Sequence, residues 1–176
     1  MKKLILVFLT SLVIFSCGKE KNTDAETTLE STPEVEVKKT EFSIILDAIY
    51  EKNDSVILQV YDANGNGYLD KDVAVAVVGS PLAQRIELKS PSGLDIYNMA
   101  LVFSTNKEQD SFTLKSITML KDGVEMIKPD NFLYFFANND QMVMDVNTGV
   151  HKLKHEDKGY HPAFVGNDQM KAILED

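Results

Sequence analysis

The segment from residue 62 to residue 70 places oxygen-bearing groups at alternating positions, a spacing that suits a hard cation. Calcium takes about six to eight oxygen ligands from carboxylates, amides and backbone carbonyls. Alternate spacing turns the side chains of the first three polar residues toward one point, where a backbone carbonyl and a second carboxylate can join them. The candidate calcium ligands are therefore Asp62, Asn64, Asn66, the Tyr68 carbonyl and Asp70.

This pattern resembles the calcium loop of EF-hand and dockerin-like proteins, with Gly67 at its sixth position. The twelfth position, which holds a bidentate glutamate in that family, is Val73, and only Asp70 or Asp72 could substitute for it. Helices flank the loop in that family, whereas strands are expected here. Asn and Gly also tolerate positive φ angles, so the same residues suit a hairpin turn, which the strand pattern favours over calcium.

The three histidines of the chain, His151, His155 and His161, fall within eleven residues. The first two would share a face of a strand or helix, and the third could complete a zinc site. Interleaved lysines make a divalent cation unfavourable there, so a solvated basic hairpin is the favoured interpretation.

Motifs of enzyme chemistry are missing from the sequence: it has no Gly-x-Ser-x-Gly elbow, no phosphate-cradling glycine loop and no His-Glu-x-x-His. We therefore expect a protein that is not an enzyme. Sugar binding would need aromatic platforms, and the chain has no Trp. A sandwich of this size needs its aromatic residues for burial, so we expect each tyrosine at the core or its edge. The tyrosines are Tyr50, Tyr61, Tyr68, Tyr97, Tyr134 and Tyr160.

Alternation of apolar and polar residues predicts seven short strands that would position these groups. In the sixth strand the apolar parity changes near Lys115 and Ser116, which indicates a β-bulge. Short strands joined by turns predict a mainly β protein, an antiparallel, jelly-roll-like β-sandwich. The predicted strands lie at 42–50, 56–60, 73–77, 86–88, 97–103, 112–119 and 124–127.

The C-terminal quarter predicts short helical elements as well as strands. Asp130 is a candidate N-cap for one or two helical turns over 131–136, although the same apolar run would suit a buried strand. Further predicted elements are a strand at 142–144, a hairpin turn at 147–149, its return strand at 150–155, and a helix at 168–174 with Met170, Ile173 and Leu174 on one face.

Residues 97–109 and 112–117 look like the two central strands of carbohydrate-binding-type β-sandwich modules, which often occur beside bacterial glycan-handling enzymes. In those modules a strand with a conspicuous Arg and Asp precedes an Asn- and Gly-rich turn, whereas Met99, Ala100 and Val102 occupy such positions here. The resemblance covers residues 41–127. It implies a β-sandwich fold and, less directly, a glycan ligand.

The N-terminus begins with Lys2 and Lys3, and the stretch Leu4–Phe15 is apolar except for Thr10 and Ser11. A helix that spans a membrane needs roughly 20 apolar residues, so this stretch is too short and instead fits a secretory signal.

The segment Val13–Cys17 resembles the lipobox of bacterial lipoproteins, in which the cysteine is acylated and becomes the first residue of the mature protein. This resemblance implies a signal peptide at 1–16 and membrane attachment through acylated Cys17, with ordinary secretion as the alternative. Residues 18–40 hold six acids, four lysines and five threonines, a composition that predicts a flexible tether over 17–40. The remaining residues, 41–176, form one predicted β-sandwich domain.

The composition narrows the range of partners. With 27 acidic and 18 basic side chains in 176 residues, the net charge is −9, which disfavours nucleic acid because phosphate contacts need clustered cations. We predict a lipid-anchored envelope lipoprotein, at the outer rather than the inner membrane and facing the periplasm or the cell surface. Its β-sandwich would bind a glycan or an envelope protein. The alternatives are a structural or accessory lipoprotein that acts through protein contacts, or calcium binding through residues 62–70.

Overall fold

Alternating apolar residues build the strands of the computed structural model, which describes residues 40–155 and 159–175. Two short 3₁₀ turns, Leu69–Lys71 and Phe132–Tyr134, and one helix accompany eleven strands within this part of the chain. The elements are β1 (Phe42–Tyr50), β2 (Asp54–Tyr61), β3 (Val73–Val77), β4 (Ser80–Lys89), β5 (Asn98–Val102), β6 (Ser111–Lys121), β7 (Val124–Ile127), β8 (Phe136–Asn138), β9 (Met142–Asp145), β10 (Val150–Leu153), β11 (Ala163–Gly166) and α1 (Asp168–Glu175).

The strands form two antiparallel sheets that pack face to face as a sandwich. The first sheet has the order β4-β1-β6-β10-β9, with β7 also paired to β6, and the second has the order β3-β2-β5-β11-β8. Strand β6 is long enough to pair with β1 along its length, with β10 near its start and with β7 near its end. The predicted fold class, a mainly β antiparallel sandwich, is confirmed.

The core lies between the two sheets and is built by the inward-facing positions of both. Ile44 and Leu46 on β1 and Ile117 on β6 are fully buried on the first sheet, as are Leu58 on β2 and Leu101 on β5 on the second. Burial of such a side chain contributes about 1.5–3 kcal/mol relative to exposure. The alternation that predicted these strands therefore also identifies the side chains that hold the sheets together.

The predicted bulge in β6 is confirmed at Lys115. Along the ladder between β1 and β6, Asp47 pairs with Ser116 and Ala48 pairs with Leu114, which leaves Lys115 without a partner. The extra residue shifts the side-chain parity by one position. As a result, Leu114 before the bulge and Ile117 after it are both buried in the same core.

Two short connections join the sheets at their sides. The chain passes from β3 in the second sheet to β4 in the first through Val78 and Gly79 alone, and from β8 to β9 through residues 139–141. At Gly79 a Cβ atom would lie 2.7 Å from the Glu51 carbonyl oxygen, so only glycine fits. The Asn139 side chain fixes the second crossing by donating to the His161 carbonyl and accepting from the Ala163 N–H.

Several C-terminal predictions need correction. The helical turn forms at Phe132–Tyr134, but its N-cap is Asn131 rather than Asp130, and no side-chain hydrogen bond caps it. The alternative prediction, a buried strand over 131–136, is correct only for the last of these residues, because β8 begins at Phe136. Strand β11 was not predicted: it is only four residues long and buried at three of them, so no alternation marks it. Helix α1 is confirmed, with Met170 and Leu174 buried.

The prediction of a solvated basic hairpin is wrong for His151, which is fully buried in a group of aromatic rings. Its imidazole stacks on Phe112 with ring centroids 4.8 Å apart, and Phe112 stacks on Phe103 at 4.8 Å and on Tyr50 at 5.4 Å. Its Nδ1 lies 3.1 Å from the Gly149 carbonyl oxygen, while Nε2 has no partner among the described residues. Burial lowers the pKa of His151, so the native ring is neutral.

This buried imidazole predicts a pH-dependent loss of stability. Its native pKa is lowered, whereas the unfolded chain regains the ordinary value near 6.5, so the unfolded state takes up the proton first as the pH falls. The contribution is fully present above about pH 6.5 and is lost below it by up to about 1.4 kcal/mol per pH unit. Denaturant unfolding at pH 7.5 and 5.5 measures the effect.

The control for this prediction is His151→Phe, which keeps a stacking ring and cannot be protonated. The Gly149 carbonyl remains satisfied in this variant, because it also accepts the Leu114 N–H at 2.9 Å. We expect a smaller loss of unfolding free energy between the two pH values than in the wild type. An equal loss in both proteins would contradict the assignment.

Candidate functional site

An open cleft of about 430 Å³ lies on the outer face of the second sheet, at the end where β2 finishes and β5 begins. Tyr61 and Asn98 are cross-strand partners in the β2–β5 ladder, so their side chains point to the same face. The loop after β2 forms one wall, and α1 supplies a cation at the other. The polar and aromatic lining residues are Tyr61, Asp62, Asn64, Tyr97, Asn98 and Lys171.

The loop wall is a turn organised by the Asp62 carboxylate. Its Oδ1 accepts the N–H groups of Asn66 at 2.8 Å and Asn64 at 2.9 Å, and its Oδ2 accepts the Asn66 side-chain amide at 3.3 Å. The Gly65 N–H donates to the Asp62 carbonyl, and Gly65 has a φ of +78°, which suits glycine. These hydrogen bonds, led by that from the Asn66 backbone, lower the pKa of Asp62.

The structure distributes the five candidate calcium ligands over a turn and a 3₁₀ turn. Asp62, Asn64 and Asn66 share the loop, whereas Asp70 lies in the Leu69–Lys71 turn with its carboxylate 2.9 Å from the Lys71 ammonium. The Tyr68 carbonyl accepts the Lys71 N–H at 2.7 Å. Strands β2 and β3 flank the segment, as expected for a turn between strands, and calcium binding there stays a prediction.

The three histidines are not brought together. His151 is in the core, His155 places its Nε2 3.3 Å from the Asp110 carboxylate, and His161 donates its backbone N–H to the Gln141 side chain. Within residues 40–155 and 159–175, no group of three or more His, Cys, Asp or Glu side chains could hold a metal ion.

The side chains at the rim and floor of the cleft are held by neighbouring groups. Asn98 donates its side-chain amide to the Gly166 carbonyl at 3.0 Å and accepts the Met99 N–H at 2.8 Å. The Tyr61 hydroxyl donates to the Gln59 side chain at 3.3 Å, and burial, reinforced by the nearby charge of Asp72, raises the pKa of Tyr61. These bonds hold the Asn98 and Tyr61 side chains in place at the cleft.

The cation at the cleft comes from Lys171 on α1. Its ammonium donates to the Asp168 carboxylate at 2.9 Å, and this hydrogen bond raises the pKa of Lys171, with a smaller contribution from Tyr97. The described lining contains no Ser, Cys or His side chain that could serve as a nucleophile or a base. The arrangement offers two aromatic rings, one ammonium and a polar loop, which suit binding.

Sequence reasoning identified part of this site. Tyr61 and Tyr97 were named as aromatic candidates, and both are half-buried at the cleft rather than lost in the core. Tyr50 is fully buried, as expected, but the expectation is wrong for Tyr134, which is 62% exposed. Lys171 was missed: the helix was predicted with its apolar face inward, but no signal in the sequence places that helix beside β5.

No protein-family model matches the chain, and comparisons with curated proteins and with solved structures found no match either. Among the described residues, no helix is long and apolar enough to cross a membrane.

We predict that Asp62→Ala lowers the midpoint of thermal unfolding by a few degrees, to the same extent with and without millimolar Ca²⁺. The physical reason is that its carboxylate accepts three hydrogen bonds that hold the turn together. Calorimetric unfolding of both proteins measures this. If Ca²⁺ raises the midpoint of the wild type but not of the variant, the loop is a calcium site instead of a structural turn.

Proposed function

We propose that the β-sandwich is a binding module of a lipid-anchored envelope lipoprotein, and that the outer-face cleft binds a glycan. The observation that carries this proposal is that Tyr61 and Tyr97 line one concave surface together with the Asp62 loop and Lys171. The weak resemblance of residues 41–127 to carbohydrate-binding-type sandwiches agrees with this choice.

The chemistry of the cleft matches that of a sugar. A pyranose ring has apolar C–H faces that pack on aromatic rings and hydroxyl groups that need directional polar partners. The half-buried rings of Tyr61 and Tyr97 supply the first requirement, and the Asn64 side chain and the Lys171 ammonium supply the second. A volume of about 430 Å³ falls within the range of about 300–1,000 Å³ that is typical of small-ligand sites.

The cleft is proposed as a binding site and not as a catalytic one. Glycoside hydrolysis uses two carboxyl groups that flank the scissile bond. Asp62 is the sole carboxylate of the described lining, and the turn already occupies both of its oxygens. The proposal therefore keeps the expectation of a protein that is not an enzyme.

We predict that Tyr97→Ala weakens glycan binding at least tenfold, equivalent to about 1.4 kcal/mol, because one of two stacking rings is lost. A glycan array probed with the full chain identifies a bound sugar, and titration calorimetry then compares the variants. The matched control is Tyr134→Ala, since Tyr134 is an exposed tyrosine that does not line the cleft. Uniform silence across the array, or equal loss in both variants, would contradict the proposal.

A protein-binding role is the second candidate, and a different surface favours it. A hollow of about 370 Å³ on the first sheet is lined by Leu133, Met144 and Val146, together with the bulged Lys115. Val146 is 72% exposed and Leu133 is 46% exposed, so apolar side chains face solvent here. An exposed apolar patch is typical of protein contacts. A structural or accessory lipoprotein would use this surface instead of the cleft.

Attachment to the envelope is the other part of the proposal, and Cys17 lies outside the described residues. Its support is the sequence alone: a charged start, a short apolar stretch and a lipobox-like end. A single acyl chain binds a membrane only marginally, so the two or three chains of a bacterial lipoprotein would supply the anchor. We propose the outer membrane, with the domain facing the periplasm or the cell surface.

We predict that Cys17→Ser abolishes incorporation of labelled palmitate when the full chain is expressed in a bacterial host, because no other cysteine is present. The variant should also leave the membrane fraction. The matched control is Tyr134→Ala, which keeps the cysteine and should label like the wild type. If neither the wild-type nor the Cys17→Ser chain is labelled or found in the membrane fraction, the protein is secreted without an anchor. If both chains remain equally in the membrane fraction, another anchor holds them.

A further inference from the structure

Strand β3 forms a free edge of the second sheet. It pairs with β2 on one side, and no other described strand pairs with its opposite side. The free edge ends at Val78, because the Gln84 side chain donates to the Val78 carbonyl at 2.7 Å and accepts the Val78 N–H at 3.3 Å. The edge is therefore the five-residue stretch Val73–Val77, whose outward backbone groups can accept another strand.

The other end strands of the two sheets are protected, which makes β3 an exception. Strand β8 has three residues, β7 and β9 have four each, and very short edges pair poorly. Strand β4 contains Pro81, has a break in its register with β1, and exposes the charged side chains of Arg85 and Glu87. Strand β3 has no proline, no charge and no bulge.

The sequence of β3 is a palindrome, Val-Ala-Val-Ala-Val, and it is therefore complementary to itself. In an antiparallel pair centred on Val75, Val73 lies opposite Val77 of the other strand and Ala74 lies opposite Ala76. Residues 41–176 carry 12 basic and 21 acidic side chains, a net charge of −9, so two copies repel over most of their surface. The uncharged strand lets two copies approach without placing like charges opposite each other.

The two ends of β3 provide an independent observation. Leu69 precedes the strand and is 80% exposed, whereas Leu82 follows it and is 74% exposed. These are the two highest exposed fractions among the large apolar side chains of the described residues. Val78, at the same end as Leu82, is 65% exposed. An antiparallel pair brings the segment before β3 in one copy to the segment after β3 in the other. The exposed leucines would then be covered at both ends.

We propose that β3 pairs with β3 of a second copy of this chain in an antiparallel register centred on Val75. The two second sheets then join into one continuous sheet of ten strands across a two-fold axis. Such a symmetric contact uses the same surface on both copies, which is the usual form of a dimer interface. The clefts lie on the outer face of the joined sheet, one on each copy.

Disulfide trapping tests the register. Full chains carrying Cys17→Ser contain no native thiol, and each receives either Ala74→Cys or Ala76→Cys at an exposed position of β3. Opposed Cβ atoms in such a pair lie about 4.5–5.5 Å apart, close enough for a bridge after small shifts. With oxidised glutathione, the mixture of the two chains should form the mixed disulfide about fivefold faster than either chain alone forms its own. Equal rates for all three combinations, or no bridge, would overturn the proposal.

Charge substitution supplies a second measurement that does not depend on oxidation. The double variant Ala74→Lys with Ala76→Lys places like charges opposite each other twice, so sedimentation should show a single-chain species. The matched variant Ala74→Glu with Ala76→Lys places opposite charges together and should restore the two-chain species. Identical sedimentation of the two double variants would contradict pairing through β3. Circular dichroism of both variants verifies that each one folds.

Discussion

The stacked rings between the two sheets set the geometry of the whole domain. Phe112 on β6 and His151 on β10 belong to the first sheet, and they meet Phe103, just after β5, and Phe164 on β11 of the second. The Tyr50 hydroxyl donates to the Phe103 carbonyl at 2.9 Å and so links β1 to the same point. Each aromatic pair contributes about 0.5–1.5 kcal/mol beyond its buried area. Because β5 is fixed here on its inner side, Tyr97 and Asn98 are fixed at the cleft.

A buried carboxylate holds the chain that leaves this stack. Asp54, at the start of β2, accepts the N–H groups of Thr105 at 2.8 Å and Asn106 at 3.0 Å, and the Ser104 hydroxyl also donates to it. Ser104 in turn accepts the Tyr160 hydroxyl at 3.0 Å. Buried polar groups are tolerated when all their partners are present, and this network is fully paired. It holds the loop after Phe103 against the edge of the core and so keeps the aromatic stack in register.

Features of the fold that depend only on the alternation of apolar and polar residues were predictable from the sequence. Strand β1 and the bulge at Lys115 follow from alternation and from its change of parity, because the inward positions of both strands are apolar and buried. Strand β11 escaped prediction, because it has only four residues, three of them buried, and so shows no alternation of apolar and polar side chains. His151 was misassigned because a titratable side chain followed by lysines is typical of a solvated surface. Its pairing with Phe112 in the ladder between β6 and β10 instead places the ring in the core.

The candidate site was predictable to a similar degree. The sequence identifies the polar loop after β2 and two of the tyrosines. That they lie close together depends on the pairing of Tyr61 on β2 with Asn98 on β5, which the sequence does not reveal. Lys171 enters through the docking of α1, which Gly166 permits: a Cβ there would meet the Met170 side chain at 2.6 Å. That contact joins residues on two different elements, so no local periodicity in the sequence predicts it.

Short crossings tie the two sheets together at both edges of the sandwich. With Val78 and Gly79 joining the layers on one side and residues 139–141 on the other, the sheets cannot separate without breaking a strand ladder. The space between the sheets is filled by packed side chains, so contacts with other molecules fall on the outer loops, faces and edges.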